Sequence, residues 1–247
     1  MQAELQTQGY LYTFAKGSFI KEHTQSGSSK KSSQKNKKVV TVLHADDHPY
    51  LIHGVESDLN KDPGIKIFGN ACSYDEVLEK AAALQPDIVL LDLKMPGSDK
   101  HDFKLFMTGL RTLGKCKVII FSNETGWPRI YRCLELGASA YVEKAISFGR
   151  LAEFIHRVYE EEELLIFTGE QMPDVNFVGK KKEILNYIVD GKENNEISVL
   201  LNLELKTIQS YVNEIKTKLS QVFGIHPLKS RTFLLLATRL GYGHKVN

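Results

Sequence analysis

The chain has 247 residues, of which 42% are hydrophobic and 25% charged, a globular composition and a length for about two domains. No apolar run approaches the roughly 18 residues of a membrane span. Three widely spaced cysteines, Cys72, Cys116 and Cys133, exclude a disulfide framework or a cysteine zinc site and fit a reducing cytoplasm. The net charge of +2 hides a segregation, with +5 on residues 1–38, −7 on residues 39–172 and +4 on residues 173–247. An acidic middle and a basic end predict two domains with different partners, the basic one facing nucleic acid.

Residues 1–22 mix aromatics (Tyr10, Tyr12, Phe14, Phe19) with no sustained period of 2 or 3.6. Residues 23–38 are Ser- and Lys-rich and cannot bury enough surface to offset chain entropy. Residues 1–38 are therefore expected to form a mobile basic extension. From Val39 short apolar runs alternate with amphipathic stretches. Strands are predicted at Val39–Leu43, Ile65–Ala71, Ile88–Leu93, Val118–Phe121 and Ala140–Val142. Ser73 to Glu76 has the spacing of a helix capping box, and Gly137 sits where a helix end wants a left-handed residue. Five strands alternating with five helices predict a doubly wound α/β domain on a parallel sheet over residues 39–158. Residues 159–172, with four glutamates at 160–163, read as a linker.

Residues 173–247 carry no strand pattern. Helices fit Lys180–Asp190, Asn194–Leu201, Leu205–Val222 and Ser230–Leu240. The second and third are joined by so short a turn that the four-helix unit reads as a helix-turn-helix. In Leu205–Val222, the residues Leu205, Ile208, Val212, Ile215 and Leu219 form the stripe expected to be buried. Lys206, Thr207, Gln209, Ser210, Asn213 and Lys216 are then the candidate DNA contacts. The apolar run Phe233–Ala237 exceeds one face of a small core and suits either a dimer surface or core packing.

In an open parallel sheet, ligand groups gather beyond the carboxyl ends of the strands. Those ends carry Asp46 and Asp47, then Asp92, then Ser122, then Lys144. Oxygen ligands of this kind suit a hard cation such as Mg²⁺. A carboxylate beside such a cation can act as nucleophile toward a phosphoryl group. A lysine and a hydroxyl supply donors for the phosphoryl oxygens.

The stretches Ala45-Asp46-Asp47-His48-Pro49, Leu90 to Gly97, Phe121-Ser122 and Gly137 to Lys144 resemble the receiver domain of bacterial two-component response regulators. Residues about 177–240 resemble the LuxR-type output of the same proteins, through Glu183-Ile184-Leu185, Asn195-Glu196-Ile197, Thr207-Ile208, Lys218-Leu219 and Arg231-Thr232. The resemblance implies a five-stranded receiver sheet of order 2-1-3-4-5 followed by an all-α four-helix domain. It implies Asp92 as phosphoacceptor, with Mg²⁺ on Asp46, Asp47, Asp92 and the backbone carbonyl of Lys94. Ser122 and Lys144 would bind the phosphoryl group, and Tyr141 would be the aromatic switch that swings inward. A sensor histidine kinase, DNA and a homodimer formed when phosphorylated or on DNA are the implied partners. Lys100 and Asn123 depart from the family pattern, and the degraded opening Phe177 to Lys181 leaves the DNA target open. Two rivals are a phosphohydrolase, which would need an acid where Lys94 stands, and a non-switching protein-interaction adaptor.

Overall fold

A computed structural model describes residues 9–15, 18–24, 38–99, 102–114, 116–160 and 164–243. It has two compact units. The first is built on a sheet. Its parallel strands are β3 (Val40–Ala45), β4 (Ile65–Ala71), β5 (Ile88–Leu91), β6 (Lys117–Ser122), β7 (Ala140–Glu143) and β8 (Leu164–Thr168). Two strands near the start of the chain, β1 (Gly9–Ala15) and β2 (Ser18–Thr24), extend it, giving the order β2-β1-β8-β7-β6-β5-β3-β4. Between the parallel strands run α1 (Pro49–Leu59), α2 (Tyr74–Leu84), α3 (Phe103–Leu113), α4 (Trp127–Glu135) and α5 (Phe148–Glu160). Of these helices, α4 belongs to the second unit.

Within this sheet the order β4-β3-β5-β6-β7 is the expected order 2-1-3-4-5. The five-stranded expectation is corrected by β8, which lies inside the stretch read as a linker. Leu165, Ile166 and Phe167 are all buried, and β8 pairs with β7 through Ala140–Leu165, Tyr141–Ile166 and Val142–Phe167. An apolar run of this kind has more to gain inside the sheet than in solvent. The N-terminal expectation is corrected at residues 9–15 and 18–24, which are strands of the sheet. Tyr10, Tyr12 and Phe14 recur at every second residue within β1, a strand period too short to stand out from the sequence. The Ser/Lys-rich residues 25–37 lie outside the described residues.

Both faces of the central parallel strands β3, β5, β6, β7 and β8 are buried, as a parallel sheet requires. On one face Val40, Val42, Leu90, Phe121, Val142 and Phe167 pack with Val55 and Leu59 of α1 and Leu151, Phe154 and Ile155 of α5. On the other, Leu43, Val89, Leu91, Ile120, Tyr141 and Ile166 are equally enclosed. Ser73 caps α2 by accepting from the amide of Glu76 at 3.3 Å. Gly137 takes φ +103°, and a Cβ there would lie 3.2 Å from the Arg111 side chain.

The second unit contains α6 (Lys180–Val189), α7 (Asn194–Leu201), α8 (Leu205–Phe223) and α9 (Ser230–Arg239). Each lies within a residue of its predicted bounds. Glu193 and Glu196 form a capping box at the start of α7. Asn202, at φ +50°, ends α7 in the left-handed region, and Ser198 donates to the carbonyl of Leu203 at 2.6 Å. These bonds fix the tight turn into α8. Ile208, Val212, Ile215 and Leu219 are buried as expected, but Leu205 is 38% exposed. It is the first residue of the helix and projects past the core that receives the others. Phe233, Leu236 and Ala237 of α9 are buried and Leu234 is 41% exposed, so most of that apolar run serves the core.

Candidate functional site

The parallel connections bring the carboxyl ends of β3, β5, β6 and β7 to one side of the sheet. The amide of Asp92 donates to the carbonyl of Ala45 at 2.9 Å, and the amide of Lys144 to that of Ser122 at 3.1 Å. These bonds tie the ends of β3 and β5 together and those of β6 and β7 together, and the side chains there converge. Ser122 Oγ donates to Asp92 Oδ1 at 2.9 Å. Lys144 Nζ lies 2.7 Å from Asp92 Oδ2 and 2.6 Å from Asp46 Oδ2. Asp46, Asp92 and Ser122 are buried, and only 6% of the Lys144 side chain is exposed.

Asp47 and His48 complete the rim. The His48 amide donates to Asp46 Oδ1 at 2.9 Å, and its Nδ1 sits 3.0 Å from that oxygen and 2.9 Å from Asp47 Oδ1. Ligand atoms of Asp46, Asp47, His48 and Asp92 all lie within 4.8 Å of one another. Three carboxylates so placed fit a hard divalent cation. Burial alone would raise the Asp46 carboxyl, but the Lys144 ammonium and the His48 amide outweigh it and hold Asp46 below the usual carboxylate range. His44, fully enclosed on β3, is pushed down to about 4 by burial, with Lys144 adding to the effect against the pull of Asp46 and Asp92. His44 is therefore neutral, and Lys144 is the cation inside the crevice.

Tyr141 departs from expectation. Its ring is already buried, and its hydroxyl donates to the carbonyl of Glu124. An inward swing is not open to a ring already inside. The partner that satisfies its hydroxyl lies in the loop after Ser122. Glu124 is a participant the sequence reading missed, and its carboxylate also pairs with Lys94 at 3.5 Å. Tyr74 is another. It donates to the carbonyl of Leu93 at 3.2 Å and so props the loop that carries Lys94. Asn123 is exposed, and Lys100 lies outside the described residues.

On α8, Lys206, Gln209, Ser210 and Asn213 are exposed, whereas Thr207 and Lys216 are half-buried. Lys216 is turned toward α9, its ammonium 5.3 Å from the centre of the Phe233 ring. The exposed side of this helix thus carries four of the six candidate contacts in the open.

The family model of the response regulator receiver domain matches residues 42–156. That of the bacterial regulatory proteins of the luxR family matches residues 179–221. The chain is a response regulator with a LuxR-type output domain. Response regulator protein VraR of Staphylococcus saprophyticus is 28% identical over 190 residues, 73% of this chain and 90% of that one. Transcriptional regulatory protein LiaR of Bacillus subtilis is 28% identical over 194 residues, 73% and 91% of the two chains. Among solved structures, the receiver domain of the putative response regulator NarL from Mycobacterium tuberculosis is 25% identical, with a TM-score of 0.46 over 50% of this chain and 98% of that one. RcsB from Salmonella enterica, bound to a promoter in the presence of a phosphomimetic, is 19% identical, with a TM-score of 0.47 over 81% and 99%. No helix among the described residues of this response regulator is long and apolar enough to cross a membrane.

Proposed function

We propose that this response regulator is switched by phosphoryl transfer to Asp92 from a sensor histidine kinase and acts on transcription by binding DNA through α8. The observation that carries the reading is the placement of Asp92, with Ser122 on one carboxylate oxygen and Lys144 on the other. An Asp92 oxygen attacks the phosphorus of a phosphohistidine, the P–N bond breaks, and the imidazole leaves. Ser122 and Lys144 then donate to phosphoryl oxygens instead of to the bare carboxylate. Asp46, Asp47, Asp92 and the Lys94 carbonyl would hold Mg²⁺, which neutralises charge on the arriving phosphoryl group. Lys94 stands where a phosphohydrolase would need an acid, so the acyl phosphate is a signal here and not a turnover intermediate. The working form is a cytoplasmic protein that pairs as a homodimer when phosphorylated or on DNA. Its receiver runs beyond residue 158 to include β8.

Incubation with acetyl phosphate and Mg²⁺ should label the wild type and leave Asp92→Asn unlabelled. Equal labelling of the variant would sink the assignment. A second reading, a constitutive adaptor, draws on the already buried Tyr141. It predicts a shape and DNA affinity that do not respond to beryllofluoride with Mg²⁺, whereas the switching reading predicts that both respond.

A further inference from the structure

The open side of α8 carries one group of a different kind from the candidate DNA contacts. Among its 19 residues Glu214 alone is acidic, and it shares the exposed ridge with Lys206, Ser210 and Asn213. A carboxylate on a helix that approaches phosphates is repelled by them unless it is both compensated and used. Here it is compensated. Lys181, in the first turn of α6, places Nζ 2.8 Å from one Glu214 oxygen, and Ser210 Oγ lies 3.5 Å from the other. The hydrogen bond and charge of Lys181 hold the Glu214 carboxyl below its ordinary range, so it is ionised. With Glu214 and Lys181 side chains 52% and 37% exposed, the pair adds little to stability.

Two of the three lysines of α8 are drawn toward aromatic rings instead. Lys216 turns to Phe233 and Lys218 to Phe177, at 5.3 and 5.0 Å from the ring centres. Glu214, Ser210, Asn213 and Thr217 face an open groove of about 830 Å³ beside Lys181. In the major groove a carboxylate has one good base partner, the exocyclic amine of cytosine, while an amide such as that of Asn213 suits adenine.

We infer that Glu214 reads a cytosine through its N4 amine and that Lys181 is its positioning residue, offsetting phosphate repulsion and fixing the direction of the carboxylate. The inference rests on α8 being the helix that enters the groove.

The test is selection from a randomised duplex library by the full-length chain with beryllofluoride and Mg²⁺, for wild type, Glu214→Ala, Glu214→Gln, Lys181→Ala and Lys181→Arg. Wild type should enrich cytosine at one position per half-site. Glu214→Ala should erase that preference, a change of about 5- to 150-fold, and leave the other positions alone. Glu214→Gln should shift the same position toward adenine. Lys181→Ala should weaken the cytosine preference and Lys181→Arg restore it, which a merely structural pair would not do. An unchanged consensus in Glu214→Ala overturns the inference while DNA reading by α8 stands. So does a uniform loss at every position. A wild type that enriches no sequence overturns both.

Discussion

Lys144 is the cation that lets two buried carboxylates coexist, and replacing it by methionine isolates that role. Methionine keeps most of the stem volume and removes the ammonium that sits 2.6 Å from Asp46 and 2.7 Å from Asp92. The side chains of Asp46 and Asp92 are 0% and 4% exposed, so water cannot replace the lost partner. Removing one member of a buried ion pair costs about 3–5 kcal/mol, and here a single ammonium serves two acids. At about 2–4 °C per kcal/mol for a protein of this size, the unfolding midpoint should fall by roughly 6–20 °C. Excess Mg²⁺ should return part of that loss, because a cation on the same carboxylates stabilises the folded state by mass action. The wild type should gain less, since its Lys144 already neutralises the pair. Thermal unfolding of both proteins in EDTA and in Mg²⁺ makes the comparison. A Lys144→Met protein that melts with the wild type in EDTA would refute the reasoning.

Phe167→Ala should cost about 3–5 kcal/mol in urea unfolding, because the ring is 2% exposed and packs edge-on against Phe154 at 6.1 Å. A loss below 1 kcal/mol, taken as about the scale of an exposed substitution, would show that β8 is not part of the core. Asp87 accepts from the Thr41 amide at 3.0 Å and hydroxyl at 2.8 Å. Its burial would raise its carboxyl, but these bonds and Lys38 hold it below the ordinary range. A carboxyl lowered by folding stabilises above its unfolded pKa of about 4 and loses that contribution as pH falls through the folded value. Asp87→Ala should therefore cost about 1–3 kcal/mol at neutral pH, with the gap to wild type closing in acid. A gap that widens in acid would count against the sign. Lys206→Ala, at an exposed position on α8, should weaken binding to all DNA sequences alike and lower the salt slope by about one. A changed base preference would place Lys206 at a base edge instead.

The sequence made the chemistry of the crevice legible because strand ends are easy to find. β-branched runs mark the strands, and the connections of a parallel sheet carry the next residues to one side. Asp46, Asp92, Ser122 and Lys144 follow from that alone, and the helices of the output unit follow from capping residues and apolar spacing. What escaped notice depends on contacts remote in sequence. Leu164 to Thr168 follows a run of glutamates and reads as a linker until its pairing with β7 is seen. The alternation of Tyr10, Tyr12 and Phe14 spans only five residues. That Tyr141 is already inside depends on the carbonyl of Glu124, and that Lys216 leans on α9 depends on Phe233. No spacing rule reports either one.

The added strand changes where the polypeptide departs. A domain that stopped at α5 would release its chain at the amino ends of the strands, since each crossover helix runs back against them. β8 reverses that by carrying the backbone forward once more, about 15 Å at the rise of a strand. It delivers Gly169 to the carboxyl end of β7, where its amide donates to the Glu143 carboxylate. Glu143 immediately precedes Lys144. The chain therefore leaves the sheet beside Glu143, the neighbour in sequence of the lysine that contacts Asp92.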